Sequence, residues 1–482
     1  MMTYDFDKVV ARRHTGSYKW DSIPDDELPL WVADMDFEVA PAIKQALAER
    51  VAHGVFGYTQ VGDDYYQAVT EWFKRRHRWN IDPRWMLYTS GVVPATSCAI
   101  KALTLPGEKV LVMTPVYNCF FSSIRNQGCQ VEESELVRQG NSYVVDWDDF
   151  SRKCADEKTT VFLLCNPHNP TGRVWTRDEL EKMGRICAEN GVFVISDEIH
   201  CELVMPGHVF TPFAAVNATN LRNSVTLNSP SKSFNTAGLQ IANIICEDDA
   251  VRRRIDRVVN IFEVCDVNPF GPVALKAAYN ESEDWLDQLN TYIYGNYTML
   301  RDIFARGVPG VNAVNMEGTY LAWIDIRATG LKSDELTELL AREAKVRVSS
   351  GTLYGRKAGE GYIRVNLACP RHVLRKGLKR RQGASIASLL DTFPVHLLLY
   401  ASIFLEVLLL PLYETFYHHV GLHDESDGYV ADGLRRAHRY LLPVIGRVVV
   451  AAAIAARLLR LRRVDRPLFQ AMHPQVVLII LQ

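Results

Sequence analysis

The chain has 482 residues, 48% of them hydrophobic, with 54 basic and 56 acidic side chains that give a formal net charge of −2. Such a chain is long enough for roughly two or three domains with large cores, and its composition is typical of a globular protein. The near-neutral charge, without a basic stripe in the first 380 residues, argues against a nucleic-acid partner. The ten cysteines form no C-x-x-C pair, which indicates neither a zinc site nor a disulfide framework but free thiols in a reducing cytoplasm. The first residues, MMTYDFDKVVARRH, lack the apolar segment of a secretory signal.

The N-terminal region is predicted to be mostly loop, ending in an apolar segment at 28–37 that is interrupted by two acids. A helix is expected to begin at Pro41, because proline is favoured at the first helical position. One buried stripe of this helix is predicted to contain Ile43, Leu47 and Val51. A second amphipathic helix is predicted over 63–78.

From residue 87 onward, short apolar runs alternate with helical stretches, which indicates a parallel sheet covered by helices on both faces. The runs are rich in Val, Ile, Leu and Phe, as strands buried on both faces must be. The predicted strands are 109–114, 160–165, 192–196, 224–227 and 242–246. Ligands of such open sheets bind beyond the carboxyl ends of the strands, so the polar residues that follow these runs are the functional candidates.

A smaller α/β unit is predicted beyond about residue 285, with strands near 319–326, 346–349 and 362–367. A final helix should begin after Pro370, but its pattern stops near Arg381. The predicted organisation is therefore an N-terminal arm with part of the small domain, a large domain, a small C-terminal domain and an atypical tail, at 1–45, 46–285, 286–381 and 382–482.

A lysine among small hydroxyl residues follows the predicted strand 224–227, in Ser229-Pro230-Ser231-Lys232-Ser233. An amine at such a place can form a Schiff base with a carbonyl cofactor, and the hydroxyls can hold a phosphate. Taken alone, the stretch is more typical of an exposed lysine in a polar loop. Other candidates along the chain change this balance.

Polar motifs also follow the other predicted strands, and each has a simple structural interpretation beside the functional one. Tyr117 could only pack a loop, Asn169 lies in an Asn-Pro-x-Gly turn sequence, and Asp197 could cap a helix. Arg364 could be an exposed strand arginine. The stretch 90–94, Ser-Gly-Val-Val-Pro, is predicted to be a strand-to-helix turn whose backbone N–H groups can point at an anion.

In this order, the motifs resemble those of the fold-type I pyridoxal-phosphate enzymes of the class I/II aminotransferase group. Within that group the chain is similar to the carbon–sulfur β-lyases of the MalY/PatB cystathionine β-lyase kind, over residues 1 to about 380. The resemblance implies an α/β fold with a mostly parallel sheet in the large domain. It also implies pyridoxal 5′-phosphate as the cofactor and a cytoplasmic homodimer whose active sites are built from both chains.

The resemblance assigns roles to individual residues. Lys232 is expected to form the Schiff base and to shuttle the α-proton of the substrate, and Asp197 to pair with the pyridine nitrogen. Asn169 is expected to bond the 3-oxygen of the ring. Tyr117 should stack on the ring and Tyr58 should reach the phosphate across the dimer interface, and both are expected to serve catalysis.

The remaining cofactor contacts are expected from neutral groups. The phosphate should be held by backbone N–H groups and serine hydroxyls, at Gly91, Val92, Val93, Ser229 and Ser231. Many relatives carry an arginine eight residues after the lysine, where this chain has Gln240, so the phosphate should depend more on helix dipole and neutral donors.

The substrate is expected to bind through Arg364, which would pair with its α-carboxylate, and through Trp31 and Asp34 of the N-terminal arm. His200, also expected at the cofactor, stands where ordinary aminotransferases usually have tyrosine. Together with the arm at 31–37, His200 favours a lyase that cleaves L-cystathionine or related cysteine S-conjugates to a thiol, pyruvate and ammonia. An aminotransferase is the first alternative, and a non-catalytic binding protein with the same fold is the second.

The tail at 382–482 differs from the rest, since it contains nine arginines and no lysine. Two nearly apolar runs, 394–412 and 441–459, have about membrane length, but each carries one central charge, Glu406 or Arg447. A membrane hairpin is therefore the less favoured interpretation, and a frameshift, a misjoined gene or a fusion is favoured. No catalytic role and no metal site is expected in this tail.

Overall fold

The computed structural model describes residues 3–307 and 310–378. The strands are Leu28–Pro29 (β1), Met86–Thr89 (β2), Lys109–Thr114 (β3), Gln130–Glu135 (β4), Val137–Gln139 (β5), Ser142–Val144 (β6), Thr159–Cys165 (β7), Phe193–Asp197 (β8), Ser224–Asn228 (β9), Ala242–Ile245 (β10), Asn312–Ala313 (β11), Leu321–Asp325 (β12), Val346–Arg347 (β13), Ser349–Ser350 (β14) and Tyr362–Asn366 (β15).

The helices are Tyr18–Asp21 (α1), Pro41–His53 (α2), Asp63–His77 (α3), Val92–Leu103 (α4), Asn118–Asn126 (α5), Trp147–Cys154 (α6), Arg177–Glu189 (α7), Ala218–Arg222 (α8), Asp249–Ile261 (α9), Phe270–Glu281 (α10), Glu283–Gly307 (α11), Ser333–Leu339 (α12) and Arg371–Leu378 (α13).

The central sheet has seven strands in the order β2-β10-β9-β8-β7-β3-β4. The strands from β9 to β4 are parallel to their neighbours, which confirms the mostly parallel α/β fold. Alternate residues of β3 belong to different cores, with Val110 and Val112 on one face and Leu111 and Met113 on the other. Because both faces are packed against helices, these strands read as continuous apolar runs.

The five strands predicted for this sheet all form, with bounds that differ by at most one residue. The parallel orientation was wrong for the last of them, since β10 is antiparallel to both β9 and β2. The reason is the loop 229–241, which contains no α-helix to carry the chain back for a parallel crossover. Strand β2, which has four residues, was implied only by the strand-to-helix turn predicted at 90–94, and the edge strand β4, which carries three glutamates, was not predicted.

A second sheet has four antiparallel strands in the order β11-β12-β15-β14. The single strand predicted at 346–349 is two strands: β13 pairs with β1 of the N-terminal region, and β14 pairs with β15. The N-terminal region is therefore paired with β13 in a separate two-stranded sheet, two residues before β14 of the second sheet. The predicted domain boundaries remain a prediction.

The two predicted N-terminal helices form as α2 and α3. Helix α2 begins at Pro41 as predicted. Helix α3 ends at His77, one residue before the predicted end, because Arg78 takes a left-handed conformation with φ 55°. The predicted stripe of α2 was wrong at one end, because Ile43 is buried and Leu47 half-buried whereas Val51 is 57% exposed. Val51 lies in the last turn of α2, and this turn extends beyond the part of the helix that packs against the core.

The predicted apolar runs 394–412 and 441–459 lie outside the described residues. Of the helices in the described ranges, none combines the length and the apolar character needed to cross a membrane. The ten cysteines all fall within those ranges, where they are unpaired, and eight of them are buried.

The buried strands should dominate the stability of the fold. Ile195 in β8 is completely buried in the core that α4 and α9 also form. We expect Ile195→Ala to lower the free energy of unfolding by about 2–5 kcal/mol, because the substitution removes buried methyl groups and leaves a cavity. Chemical unfolding measures the change, and the exposed Val209→Ala should shift the same quantity by less than about 0.5 kcal/mol. Equal effects of the two variants would contradict this assignment of the core.

Candidate active site

The carboxyl ends of four parallel strands meet at one edge of the central sheet. Strand β8 ends at Asp197, and the chain after β3, β7 and β9 carries Tyr117, Asn169 and Lys232. Arg364 of the second sheet reaches the same place, where its Nη1 donates to Asn169 Oδ1 over 3.2 Å. The structure therefore brings together five residues that lie far apart in the sequence.

Lys232 lies in the loop between β9 and β10, and its Nζ donates a 2.7 Å hydrogen bond to the carbonyl of Ala33. Burial and the positive charge of Arg364 lower the pKa of the Lys232 amine, while the carboxylates of Asp34 and Asp197 act in the opposite direction. A lowered pKa increases the fraction of neutral amine, which is the form that attacks a carbonyl or takes a proton.

Asp197 is 4% exposed, and burial raises the pKa of its carboxyl to about 7. The Ile199 N–H, 3.1 Å from Asp197 Oδ1, and the charge of Lys232 oppose this rise. No helix begins directly after β8, so the helix-capping interpretation of Asp197 was wrong. A buried carboxyl with a raised pKa would become a stable anion beside a cationic partner, and a protonated pyridine nitrogen is such a partner.

Arg364 is buried, so the interpretation as an exposed strand arginine was wrong. Its Nη2 donates to the carbonyl of Trp31 over 2.8 Å, and its guanidinium carbon lies 4.7 Å from the ring centroid of Tyr354. Its Nε has no hydrogen-bond partner among the described residues. Because Nη2 has a second hydrogen, Nε and Nη2 can together donate to one carboxylate, as the predicted pairing requires.

His200 is 3% exposed, and its ring centroid lies 6.0 Å from that of Tyr320. Burial, together with the nearby charges of Lys232 and Arg364, lowers the pKa of the imidazole to about 3. The ring is therefore neutral at physiological pH, and no described residue bonds its buried Nδ1. A neutral imidazole beside two cations can orient a ligand without adding a third positive charge.

Tyr117 precedes the first turn of α5, and burial raises the pKa of its hydroxyl. The hydroxyl interacts electrostatically with Cys119, Asp197 and Arg364. This places the aromatic ring at the same strand ends as the charged residues, where it can cover one face of a planar ligand.

The predicted phosphate contacts begin at Gly91, which precedes α4. The N–H groups of Val92 and Val93 in the first turn have no partner within the helix and are therefore available to an anion. A Cβ on Gly91 would lie 3.5 Å from Pro94 Cδ, an ordinary contact, so packing does not demand glycine there. Glycine instead leaves the front of the helix open to a ligand.

The loop 229–241, which contains Lys232 and which we call the lysine loop, has serines whose hydroxyl groups have different partners. Ser229 Oγ donates to the carbonyl of Ile241 over 2.6 Å and accepts from Ser231 N over 3.1 Å. In this arrangement the loop itself uses the Ser229 hydroxyl proton, and the expected donation from Ser229 to a phosphate stays a prediction. Ser231 is half-buried, and Gln240 is exposed with φ 50°.

Tyr58 is fully exposed and is not part of the site within its own chain. Its neighbour Thr59 forms an antiparallel bridge with Val267, which holds this segment against the chain. A contact between Tyr58 and the cofactor would therefore have to be made in a second copy of the protein.

Residues 31–37, which we call the strap, cover the site with main-chain carbonyls. Besides the bonds from Lys232 and Arg364, Tyr320 Oη donates to Ala33 O over 2.9 Å. Asn366 Nδ2 donates to the carbonyls of Val32 and Asp34 over 2.5 and 2.7 Å. The predicted arm over the site is thus held by the site residues themselves.

The side chain of Asn235 connects the lysine loop to the strap by hydrogen bonds. Its Oδ1 accepts from Met35 N over 3.0 Å, and its Nδ2 donates to the carbonyls of Met35 and Phe37. Sequence reasoning gave no role to Asn235, Tyr320 or Asn366. The two asparagines could have been suspected, since they lie three and two residues after Lys232 and Arg364, whereas Tyr320 follows no motif.

The predicted substrate residues of the strap are occupied by other contacts. Trp31 is half-buried and its Nε1 donates to the carbonyl of Lys19 over 3.1 Å. The Asp34 carboxylate pairs with Arg12, with 2.8 Å between Nη2 and Oδ2. Both side chains thus have partners within the N-terminal region, while Asp34 Oδ1 has no hydrogen-bond partner among the described residues, and the substrate role of the two residues stays a prediction.

The raised pKa of Asp197 predicts a pH-dependent stability of the cofactor-free protein. Because the folded-state pKa of about 7 exceeds the ordinary value of 3.8, the stabilisation from protonated Asp197 is complete below pH 3.8 and is lost as the pH rises through 7. Relative to Asp197→Asn, the wild-type free energy of unfolding should therefore fall between these pH values, by at most about 1.4 kcal/mol per pH unit.

Chemical unfolding at a series of pH values checks this expectation. The exposed Asp256→Asn should keep the pH dependence of the wild type. Parallel curves for wild type and Asp197→Asn would show that Asp197 does not titrate in this range.

Comparison with known proteins gives a consistent set of relatives. A family profile described as aminotransferase class I and II matches residues 25–380. The cystathionine beta-lyase PatB of Bacillus subtilis is 40% identical over 385 residues, which cover 79% of this chain and 99% of that protein. The protein MalY of Escherichia coli is 35% identical over 78% of this chain and 97% of its own length.

Solved structures show the same likeness. Cystalysin of Treponema denticola, which contains pyridoxal 5′-phosphate, is 34% identical with a TM-score of 0.76, covering 78% of this chain and 97% of its own. The pyridoxal-phosphate-bound C–S lyase of Staphylococcus hominis is 31% identical with a TM-score of 0.73, over 78% and 97% of the two chains. By contrast, aromatic-amino-acid aminotransferase 2 of Thermococcus litoralis is 25% identical over 74% of this chain and 90% of that protein.

Proposed function

We propose that this chain, which belongs to the aminotransferase class I and II family, is a pyridoxal-phosphate-dependent carbon–sulfur β-lyase. The reaction would convert L-cystathionine, or a related cysteine S-conjugate, and water into a thiol, pyruvate and ammonia. The thiol from cystathionine is homocysteine. Relatives that carry the cystathionine β-lyase name are 31–40% identical to this chain, which favours the lyase over an aminotransferase.

The observation that carries the proposal is the buried meeting point of Lys232, Asp197 and Arg364. Lys232 interacts electrostatically with both Asp197 and Arg364, and each of the three groups meets one requirement of pyridoxal chemistry. These are an amine of lowered pKa, an anion for a protonated ring and a donor pair for an α-carboxylate. His200 Nδ1 and Arg364 Nε, both buried without a described partner, mark where polar ligand atoms fit.

When bound, pyridoxal phosphate supplies an electron sink for the charge that forms at the substrate Cα. Lys232 would hold the cofactor aldehyde and then, as a free amine, take the α-proton. Asp197 would keep the ring nitrogen protonated, and the first turn of α4 would bind the phosphate together with Ser231.

Substrate orientation would come from Arg364. A carboxylate bonded to its Nε and Nη2 would fix the Cα beside Lys232, because both cations lie under the strap and interact with each other. The strap and Tyr117 would exclude water while the carbon–sulfur bond breaks. These roles rest on the residues of this chain and can be tested one at a time.

The reaction is tested with L-cystathionine and no keto acid. We expect equal amounts of pyruvate and homocysteine, and a loss of roughly 100-fold or more in turnover for Lys232→Ala, because proton transfer by a positioned base contributes that much. The exposed Lys101→Ala should turn over like the wild type. Amino-group transfer to an added keto acid, without pyruvate from cystathionine, would replace the lyase proposal by the aminotransferase. A purified protein that neither reacts nor shows the absorption band of lysine-bound pyridoxal phosphate would favour the binding protein.

We also propose a homodimer in which Tyr58 serves the partner's active site. The support is that Tyr58 is fully exposed beside the exposed side chains of Val55 and Phe56, a surface that could pack against a second copy. Mixing Lys232→Ala and Tyr58→Ala proteins tests the sharing. Each mixed dimer would then contain one intact site, so an equal mixture should recover about a quarter of the wild-type activity. A mixture no more active than its components would contradict shared sites.

A further inference from the structure

Two cations and two anions are paired between the strap and the N-terminal segment that precedes it. Arg12 lies 2.8 Å from both carboxylates, through Nη2 to Asp34 and Nη1 to Asp36. Lys19 Nζ lies 2.9 Å from Asp36 Oδ2 and 3.5 Å from Asp34 Oδ1. We call these four residues the lock. Trp20 Nε1 adds a 2.8 Å hydrogen bond to Asp36 Oδ1.

The lock is a charge-balanced cluster shielded from water. Lys19 is 1% exposed and Asp36 5% exposed, and the Arg12 and Asp34 side chains are about one-fifth exposed. Pairs of this kind are strongly interdependent, because removing one partner leaves a buried charge without compensation. Such a cluster fixes geometry, whatever its net contribution to stability.

The lock also binds the main chain of the strap directly. Arg12 Nη1 donates to the carbonyl of Met35 over 2.8 Å, and Lys19 Nζ lies 3.3 Å from the carbonyl of Asp34. In the other direction, Trp31 Nε1 donates to the carbonyl of Lys19. The N-terminal segment and the strap therefore hold each other through both side chains and backbone.

The same strap also contacts the reacting groups directly. The carbonyls of Trp31 and Ala33 accept from Arg364 over 2.8 Å and from Lys232 over 2.7 Å. Asp34 and Asp36 of the lock are therefore only a few residues along the chain from the carbonyls that bind these two cations. A shift of the strap would change the direction in which both cations point.

We propose that Arg12 and Lys19 are positioning residues, which act through Asp34 and Asp36 on the strap carbonyls that orient Lys232 and Arg364. Asp34 then serves the strap, because Arg12 and Lys19 lie 2.8 and 3.5 Å from its carboxylate oxygens, although its Oδ1 has no hydrogen-bond partner among the described residues. Only the identity of the reaction rests on the proposed function.

The test compares Arg12→Met, Asp34→Asn and the double variant in the cofactor-loaded protein. We expect each single variant to lower kcat/KM for L-cystathionine roughly tenfold or more, with changes in both kcat and KM, since displaced catalytic groups lose rate. The double variant should be no worse than the single ones, because both changes break one interaction. Lys8→Met, which loses an exposed pair with Glu38, should match the wild type.

Hydrogen exchange of the strap amides provides a readout that is independent of the substrate. Arg12→Met should raise exchange at 31–37 above its effect elsewhere, and Arg12→Lys should restore part of the protection, because one ammonium can replace only part of the forked contact. If Arg12→Met fails to fold, Arg12→Lys alone carries the same comparison at a smaller amplitude.

Three results would overturn the proposal. The first is a KM that rises in Asp34→Asn but not in Arg12→Met, together with additive effects of the two substitutions on kcat/KM. This result would make Asp34 a substrate ligand. Another is a loss of thermal stability in Arg12→Met with unchanged kinetics, which would make the lock merely structural. The third is unchanged strap exchange in both variants. Since exchange does not depend on the substrate cleaved, a failure of the lyase assignment would leave this result interpretable.

Discussion

Charged groups can be buried together only if opposite charges and hydrogen bonds replace the water they lose, and the active site depends on this constraint. Lys232 and Arg364 bring two positive charges to a place where the carboxyl groups that act on Lys232 are Asp197, which is buried, and Asp34, whose side chain is about one-fifth exposed. The strap carbonyls complete the compensation, since they accept one hydrogen bond from each cation. The N-terminal region is thus part of the electrostatics of the site, although it contributes no strand to the central sheet.

Much of the central sheet could be predicted because its strands are buried on both faces and therefore have an unmistakable composition. The order of their functional residues followed from the same rule, since parallel strands present their carboxyl ends at one edge. The prediction failed for strands whose direction or position in the sheet cannot be recognised from their amino-acid composition. Strand β10 looks like its parallel neighbours but runs the other way, because its direction depends on the connecting loop. Strand β4 is too acidic to resemble a buried strand.

The sequence indicated which residues meet at the strand ends, but it did not indicate the contacts that their side chains make. Lys232, Asp197, Asn169, Tyr117 and Arg364 come together, but the partners of Ser229 and Asp34 could not be read from the sequence. Their side chains are directed by Ile241 and Arg12, and nothing local marks those residues. The bonds from Lys232 to Ala33 and from Arg364 to Trp31 span 199 and 333 residues, and such pairings arise only from the tertiary fold.

The acidic strand β4 has a consequence for how copies of the protein can associate. Among the described residues β4 is an outer strand that pairs with β3, and its Glu133 carbonyl accepts a hydrogen bond from Lys153 Nζ. Glu132 and Glu135 are neutralised by Lys109 and Lys357 of the same chain, at 2.8 and 3.1 Å, while Glu133 stays exposed. A foreign strand added here would compete with these ion pairs and place its side chains beside carboxylates. This border of the sheet therefore resists edge-to-edge aggregation, so that ordered association is left to other surfaces.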